Sequence, residues 1–296
     1  MNDIPEIVSL FRKRPNETFA LATLLRARGS SYRRPGARML VSQTGECAGS
    51  LSAGCLEDEV AAAAQGVIAN GAARLMPFDT RRRFGCAGSI WILLERVSND
   101  LLDQIATFSA ARIPFRLETT YTGGTRWLEE TDSSTDGGLV QDVEPPVRLL
   151  IVGSGADGVA LAEQAKLIGW ETVLLSSIAE WRGEVDHWTA AIVVTHNYGR
   201  DCAALRHLLP AGLRYLGVVG PRRRRDEMLS DALDAGATIA SRLFAPAGLD
   251  IGAETAREIA LSVIAEIQIV YAAATGVSLK ERRAPIHEVA TAAPVR

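Results

Sequence analysis

The chain is poor in the residues that mark several protein classes. It has only four cysteines, at positions 47, 55, 86 and 202, too few and too irregularly set for a disulfide framework. No CxxC or HxxxH pair occurs, so spacing alone makes no zinc site. No apolar run approaches the roughly 18 residues of a membrane helix. The opening Met1-Asn2-Asp3-Ile4-Pro5-Glu6 has no basic stretch leading into an apolar one, so neither a span nor a secretory signal is expected. Excess charge of one sign is also missing. There are 32 basic and 35 acidic side chains, 16 and 18 of them before residue 145. That balance excludes nucleic-acid binding driven by phosphate neutralisation. The expectation is a soluble cytoplasmic protein. Its 296 residues, 47% hydrophobic, are enough for two domains.

The sharpest composition shift runs from Glu129 to Val147. This stretch is polar and turn-rich, includes Gly137-Gly138, and ends at Pro145-Pro146. It predicts a linker over 129–146 with a hairpin near the glycine pair, between domains at 1–128 and 147–296. The first domain reads as α+β. Ile4, Ile7, Val8 and Phe11 recur at helical spacing over residues 4–13, and Val60, Ala64, Val67 and Ile68 do so over 56–69. Residues 19–25, 38–42 and 89–95 read as strands. The second domain alternates short apolar strands at 148–152, 172–175, 191–195 and 215–219 with helices near 157–168, 200–209 and 223–235. A last helix follows at 254–274, with a Thr255/Glu258 capping box. That rhythm predicts a Rossmann-like doubly wound parallel sheet.

Gly153-Ser154-Gly155-Ala156-Asp157-Gly158 follows the first of these strands with GxGxxG spacing. Gly153 permits a tight turn, Gly155 lets a phosphate approach the backbone, and Gly158 lets the helix pack close. A dinucleotide site usually also places an acid after the second strand, where this chain has Ser176-Ser177, and Asp157 puts negative charge in the loop. The fold follows from this loop; NAD(P) does not.

Cys55 ends Gly49-Ser50-Leu51-Ser52-Ala53-Gly54-Cys55 and opens a helix, where the dipole favours thiolate. The plainer reading is a small hydrophobe in a tight turn. Cys86, in Gly85-Cys86-Ala87-Gly88, follows Arg81-Arg82-Arg83, which could hold an anion or simply face water. Cys47 and Cys202 read as packing residues. His196 lies just beyond a parallel strand, where open α/β sheets bind ligands, or it is a satisfied loop histidine. Gly220-Pro221-Arg222 opens another helix with arginines that suit a phosphate. Arg33-Arg34 is a similar basic turn.

Taken in order, these segments resemble the XdhC/CoxI family of accessory factors for molybdenum hydroxylases. Residues 29–39 are similar to its early Gly-Ser and Pro-Gly-Ala-Met stretch. Ser52-Ala53-Gly54-Cys55-Leu56-Glu57 resembles its Ser-Gly-Gly-Cys-x-Glu motif, and Cys86-Ala87-Gly88 its Cys-Gly-Gly motif. In the second domain the resemblance rests on the glycine loop, on Thr195-His196 with Asp201, on 216–222, and on 246–267. It departs at Ala87 and at Pro221, where the family has glycine and serine. The resemblance implies binding of molybdenum cofactor (molybdopterin), support of its sulfuration, and insertion into a xanthine dehydrogenase-type apo-enzyme. It also implies a cysteine desulfurase-type sulfurtransferase partner and a homodimer. Cys55, Cys86 and His196 are then the reactive groups, with Cys55 as a molybdenum ligand. Arg33, Gly54, Gly153, Gly155, Gly158, Gly220 and Arg222 line the cofactor, and the thiols face His196 and Arg222 across a cleft. The alternatives are an NAD(P)-dependent oxidoreductase and a scaffold that holds no cofactor.

Overall fold

The computed structural model describes residues 3–29, 31–54, 56–79, 88–129, 132, 134 and 137–281. The chain divides into two compact units, Met1–Pro145 and Pro146–Arg296.

The first unit opens with α1 (Ile4–Lys13), with Pro5 and Glu6 in its first turn and Arg12 and Lys13 in its last, as the helix dipole favours. Strands β1 (Phe19–Gly29), β2 (Arg38–Ser42) and β3 (Cys47–Gly49) precede α2 (Glu57–Asn70). Then come β4 (Arg74–Asp79), β5 (Gly88–Val97) and α3 (Asn99–Ala111). These strands form one antiparallel sheet in the order β3-β2-β1-β5-β4. A second sheet of β6 (Phe115–Thr120), β7 (Gly124–Trp127) and β8 (Leu139–Val143) has the order β7-β6-β8.

Alternation along β1 divides the core. Ala20, Ala22 and Leu24 pack with Val60, Ala64, Val67 and Ile68 of α2. Phe19 and Leu21 pack with α1, α3 and the second sheet. Each fully buried large side chain contributes about 1.5–3 kcal/mol.

The expected linker over 129–146 is corrected in its second half. Leu139–Val143 pairs antiparallel with β6, and Val143 is buried. Gly137-Gly138 leads into that strand, which pairs with β6 rather than closing a hairpin on β7. Only one of the strand's five residues is buried, so no apolar pattern announces it.

The second unit runs β9 (Arg148–Val152), α4 (Ala156–Leu167), β10 (Glu171–Leu175), β11 (Thr189–Val193) and α5 (Tyr198–Leu208). It continues with β12 (Leu216–Val218), α6 (Arg222–Asp234), β13 (Leu243–Phe244) and α7 (Ala256–Ala272). Its five strands are parallel, in the order β10-β9-β11-β12-β13. Leu149, Ile151, Ala190 and Ile192 pack on α4 and α7, while Leu150, Val152, Ala191 and Val193 pack on α5 and α6. Helices therefore cover both faces, as in a doubly wound Rossmann-like sheet. The third strand begins two residues earlier than the apolar run suggests, at the buried Thr189, and Val194 and Thr195 lie beyond it. The two-residue β13 leaves no signal in the sequence. Among the described residues no helix is long and apolar enough to cross a membrane.

Candidate functional site

Strand register gathers three loops of the first unit. The end of β1, Gly29, lies opposite Gly88 at the start of β5. Asp79, ending β4, lies opposite Ser89. The start of β2, Arg38, pairs with Thr23, and Gly49, ending β3, pairs with Met39. The strand ends Gly29, Arg38, Gly49, Asp79 and Gly88 therefore lie at one end of the sheet. Next to them in the sequence are Arg33, Gly54 with Cys55, and Cys86. Cys55 and Cys86 themselves lie outside the described residues. A cavity of about 370 Å³ lined by Thr18, Arg96, Val97, Ser98 and Asn99 sits at the opposite strand ends.

The segment before Cys55 is held by Glu57. One carboxylate oxygen accepts the N–H groups of Leu51 (3.0 Å) and Ser52 (2.7 Å). The other accepts the Ser52 hydroxyl (2.7 Å) and the Leu56 N–H (3.0 Å). Burial pushes this carboxyl up, but the Ser52 hydroxyl and these N–H groups outweigh it and leave it below its ordinary value. Glu57 thus acts on the loop as a clasp. Gly54 adopts φ 101°, a conformation that favours glycine, with open space where a Cβ would stand. Glu57, Asp58 and Glu59 occupy the first turn of α2, placing negative charge at the end its dipole makes positive.

Arg33 is engaged by the protein. Its Nη2 donates to both oxygens of Asp3 (2.7 and 2.6 Å) and its Nη1 to Ser50 Oγ (2.6 Å). It ties the basic turn to the loop that precedes Cys55. Cys47 corrects the packing expectation: it lies on edge strand β3 and is exposed, its thiol pushed up by burial of the sulfur and by Asp58. Cys202 is buried in α5, where its burial also raises the thiol.

In the second unit the strand order reverses between β9 and β11, the switch point where open α/β sheets take ligands. The glycine loop follows β9 there. A Cβ on Gly153 (φ 138°) would collide with the Val194 carbonyl, and one on Gly158 with the Gly153 carbonyl. The fold itself demands these two glycines. Gly155 differs, because its φ is −72° and its Cβ direction is open.

His196, with φ 56°, follows β11 at the same point. Its Nε2 lies 2.7 Å from Asp157 Oδ2 in the first turn of α4. Asp157 therefore turns toward His196, and its charge in the loop has a partner. Behind them, buried Asp201 accepts the N–H (3.1 Å) and hydroxyl (2.6 Å) of Thr195 on one oxygen and Arg224 Nη2 (2.7 Å) on the other. The sequence does not single out Arg224 or Glu57 as site residues. Their bonds join residues by tertiary or turn geometry, for which periodicity has no signal. Gly220 has φ 152°, and Arg222 is exposed in the first turn of α6, with no side-chain partner among the described residues. At the end of β10, Ser176 meets Ser154 (3.1 Å between hydroxyl oxygens) and donates its N–H to Glu180 (3.2 Å). Among the described residues no group of three or more His, Cys, Asp or Glu is placed to hold a metal ion.

Fold and site define a two-unit protein: an α+β unit with a five-stranded antiparallel sheet and a loop before α2 held by Glu57, then a Rossmann-type unit with a glycine loop and a paired histidine at its switch point. Residues 149–267 match the profile described as XdhC Rossmann domain, and residues 13–79 that of the XdhC and CoxI family. The chain belongs to the XdhC/CoxI family. It is 27% identical to a Bacillus subtilis protein described as a probable xanthine dehydrogenase subunit, over 85% of this chain and 92% of the relative. It is 28% identical to the molybdenum cofactor insertion chaperone PaoD of Escherichia coli, over 83% and 81%. A solved structure of a xanthine dehydrogenase from Bacillus halodurans shares the fold, with a TM-score of 0.76 and 23% identity over 92% of this chain and 96% of that one.

Proposed function

We propose that this protein is an accessory factor that binds molybdenum cofactor, supports its sulfuration and inserts it into a xanthine dehydrogenase-type hydroxylase. The observation that carries the reading is that Gly29, Arg38, Gly49, Asp79 and Gly88, the strand ends nearest in sequence to Arg33, Gly54–Cys55 and Cys86, lie at one end of one sheet, in a chain related to a cofactor insertion chaperone. The second unit fits an anionic ligand too. Among the described residues none lies where a Cβ at 155 would stand, yet a side chain there would stand in the path of a phosphate reaching the loop.

The cofactor supplies a phosphate, a polar pterin and a soft metal held by sulfur. Cys55 and Cys86 provide thiolates, the form that ligates soft metals and attacks sulfur. Glu57 keeps the segment before Cys55 in one shape, and Asp157 sets the orientation of the His196 ring. Gly153, Gly155, Gly158, Gly220 and Arg222 form an anion-binding surface on the second unit. A cysteine desulfurase-type sulfurtransferase and the apo-hydroxylase are the partners, and a homodimer is the working assembly. The protein hands on a cofactor rather than turning over a substrate.

Anaerobic purification of the full chain, with molybdenum and pterin quantified, tests this. The wild type is expected to retain both, and Cys55→Ala to lose most of the metal and the activation of the client enzyme. A wild-type protein that holds no pterin, or a Cys55→Ala variant that retains cofactor and activates normally, overturns the reading or the role of that thiol, respectively.

A further inference from the structure

The end of the first sheet that bears the loops also carries a polar surface with no assigned role. Arg26 and Arg28 on β1 and Trp91 on β5 share one face. The Arg26 guanidinium carbon lies 5.6 Å, and that of Arg28 5.8 Å, from the centre of the indole ring. A local irregularity makes this possible. From Phe19 to Leu24 the even-numbered residues of β1 face α2, and continued alternation would turn Arg26 and Arg28 inward beside Leu24. The pairing with β5 shifts between Leu24 and Arg26. After that bulge, Ala27 packs on the α2 side and the arginines emerge on the other face, next to Trp91. Bulges re-aim side chains in this way at the rims of sites.

The electrostatics point the same way. Two arginines two residues apart on one strand face repel each other, and neither has a carboxylate partner among the described residues. Both are exposed, while Trp91 is half-buried. A guanidinium lying over an indole is fixed by its ring face, which leaves its N–H edge open. Two such edges side by side suit the oxygens of one phosphate group, which would also cancel the repulsion.

We propose that Arg26 and Arg28, set in place by Trp91, form a site for a phosphate monoester or diphosphate. Resting on the reading above, it takes the phosphate end of the cofactor. The arginines touch the ligand, and Trp91 is a positioning residue.

Calorimetric titration of the full chain with pyrophosphate at low ionic strength tests the site. Arg26→Gln/Arg28→Gln is expected to weaken binding at least about tenfold. The charge-matched Arg74→Gln/Arg96→Gln variant should bind as the wild type does. Trp91→Leu should weaken binding several-fold, and Trp91→Phe, which keeps a ring, should recover most of it. Thermal melting of each variant identifies any that fail to fold, in which case the single substitutions Arg26→Gln and Arg28→Gln serve instead. Unchanged pyrophosphate affinity in the folded Arg26/Arg28 variant overturns the site. Pterin content measured on the same proteins separates the two readings. Loss of both pyrophosphate and pterin supports the assignment, while loss of pyrophosphate with pterin fully retained overturns its link to the cofactor. A wild type that binds pyrophosphate through these arginines yet never holds pterin leaves the site standing and removes the cofactor reading.

Discussion

Single residues decide how the candidate site is held. Glu57 binds four donors around the Cys55 segment, and its carboxyl lies below the ordinary value of 4.5. A depressed native value means that the carboxylate contributes stability above the unfolded value, and that this contribution is lost as pH falls through the native one. Urea midpoints measured between about pH 3 and 6 should therefore fall more steeply with acid in the wild type than in Glu57→Gln. Equal slopes would remove the clasp. Gly153 and Gly158 make a related point by shape. Gly158→Ala would press a methyl into the Gly153 carbonyl and should lower the melting temperature clearly. Gly155→Ala meets open space and should leave stability within about 0.5 kcal/mol while weakening any anion bound at the loop. Of these residues the glycines were readable from their spacing. Glu57 was visible only as a letter in a motif, because a side chain that folds back on its own loop leaves no periodic trace.

At the scale of elements, the two sheets of the first unit are joined by buried polar groups as well as by apolar packing. Glu95 of β5 accepts the N–H (2.9 Å) and hydroxyl (2.6 Å) of Thr125 on β7. Arg38 of β2 donates to Gln141 on β8. Burial pushes the Arg38 guanidinium down to about 10 despite the pull of Glu95 and Asp3, and pushes the Glu95 carboxyl up despite its Thr125 bonds. Removing one member strands the others. Glu95→Ala is expected to cost about 3 kcal/mol by urea unfolding, well above a surface carboxylate. A cost under about 0.5 kcal/mol would show that apolar packing alone joins the sheets. The helices behave more locally. Thr255 and Glu258 cap α7 reciprocally, as their spacing announces, and Thr255→Ala should cost about 1 kcal/mol. Most helices and central strands were legible because their apolar spacing is regular. The bulge in β1 and the strand β8 were not. One adds a single residue to a ladder, and the other buries only Val143.

For the whole molecule, each unit closes its own cores. The second unit buries both faces of its sheet beneath its own helices, with Ile151, Ile192 and Val263 on one side and Val152, Leu205 and Met228 on the other. A fragment beginning at Pro146 is therefore expected to fold with a single cooperative thermal transition. A fragment that shows no transition would mean that this core depends on the first unit.

The sequence by itself determined the doubly wound second unit, the glycine loop, the capped last helix and the family, because each depends on order and spacing along the chain. Tertiary structure alone decided that Asp157 faces His196, that Asp201 ties Thr195 to Arg224, and that a bulge turns Arg26 and Arg28 toward Trp91. These pairings bring together residues from separate elements, so they are fixed only when strand register and the shape of the turns are fixed.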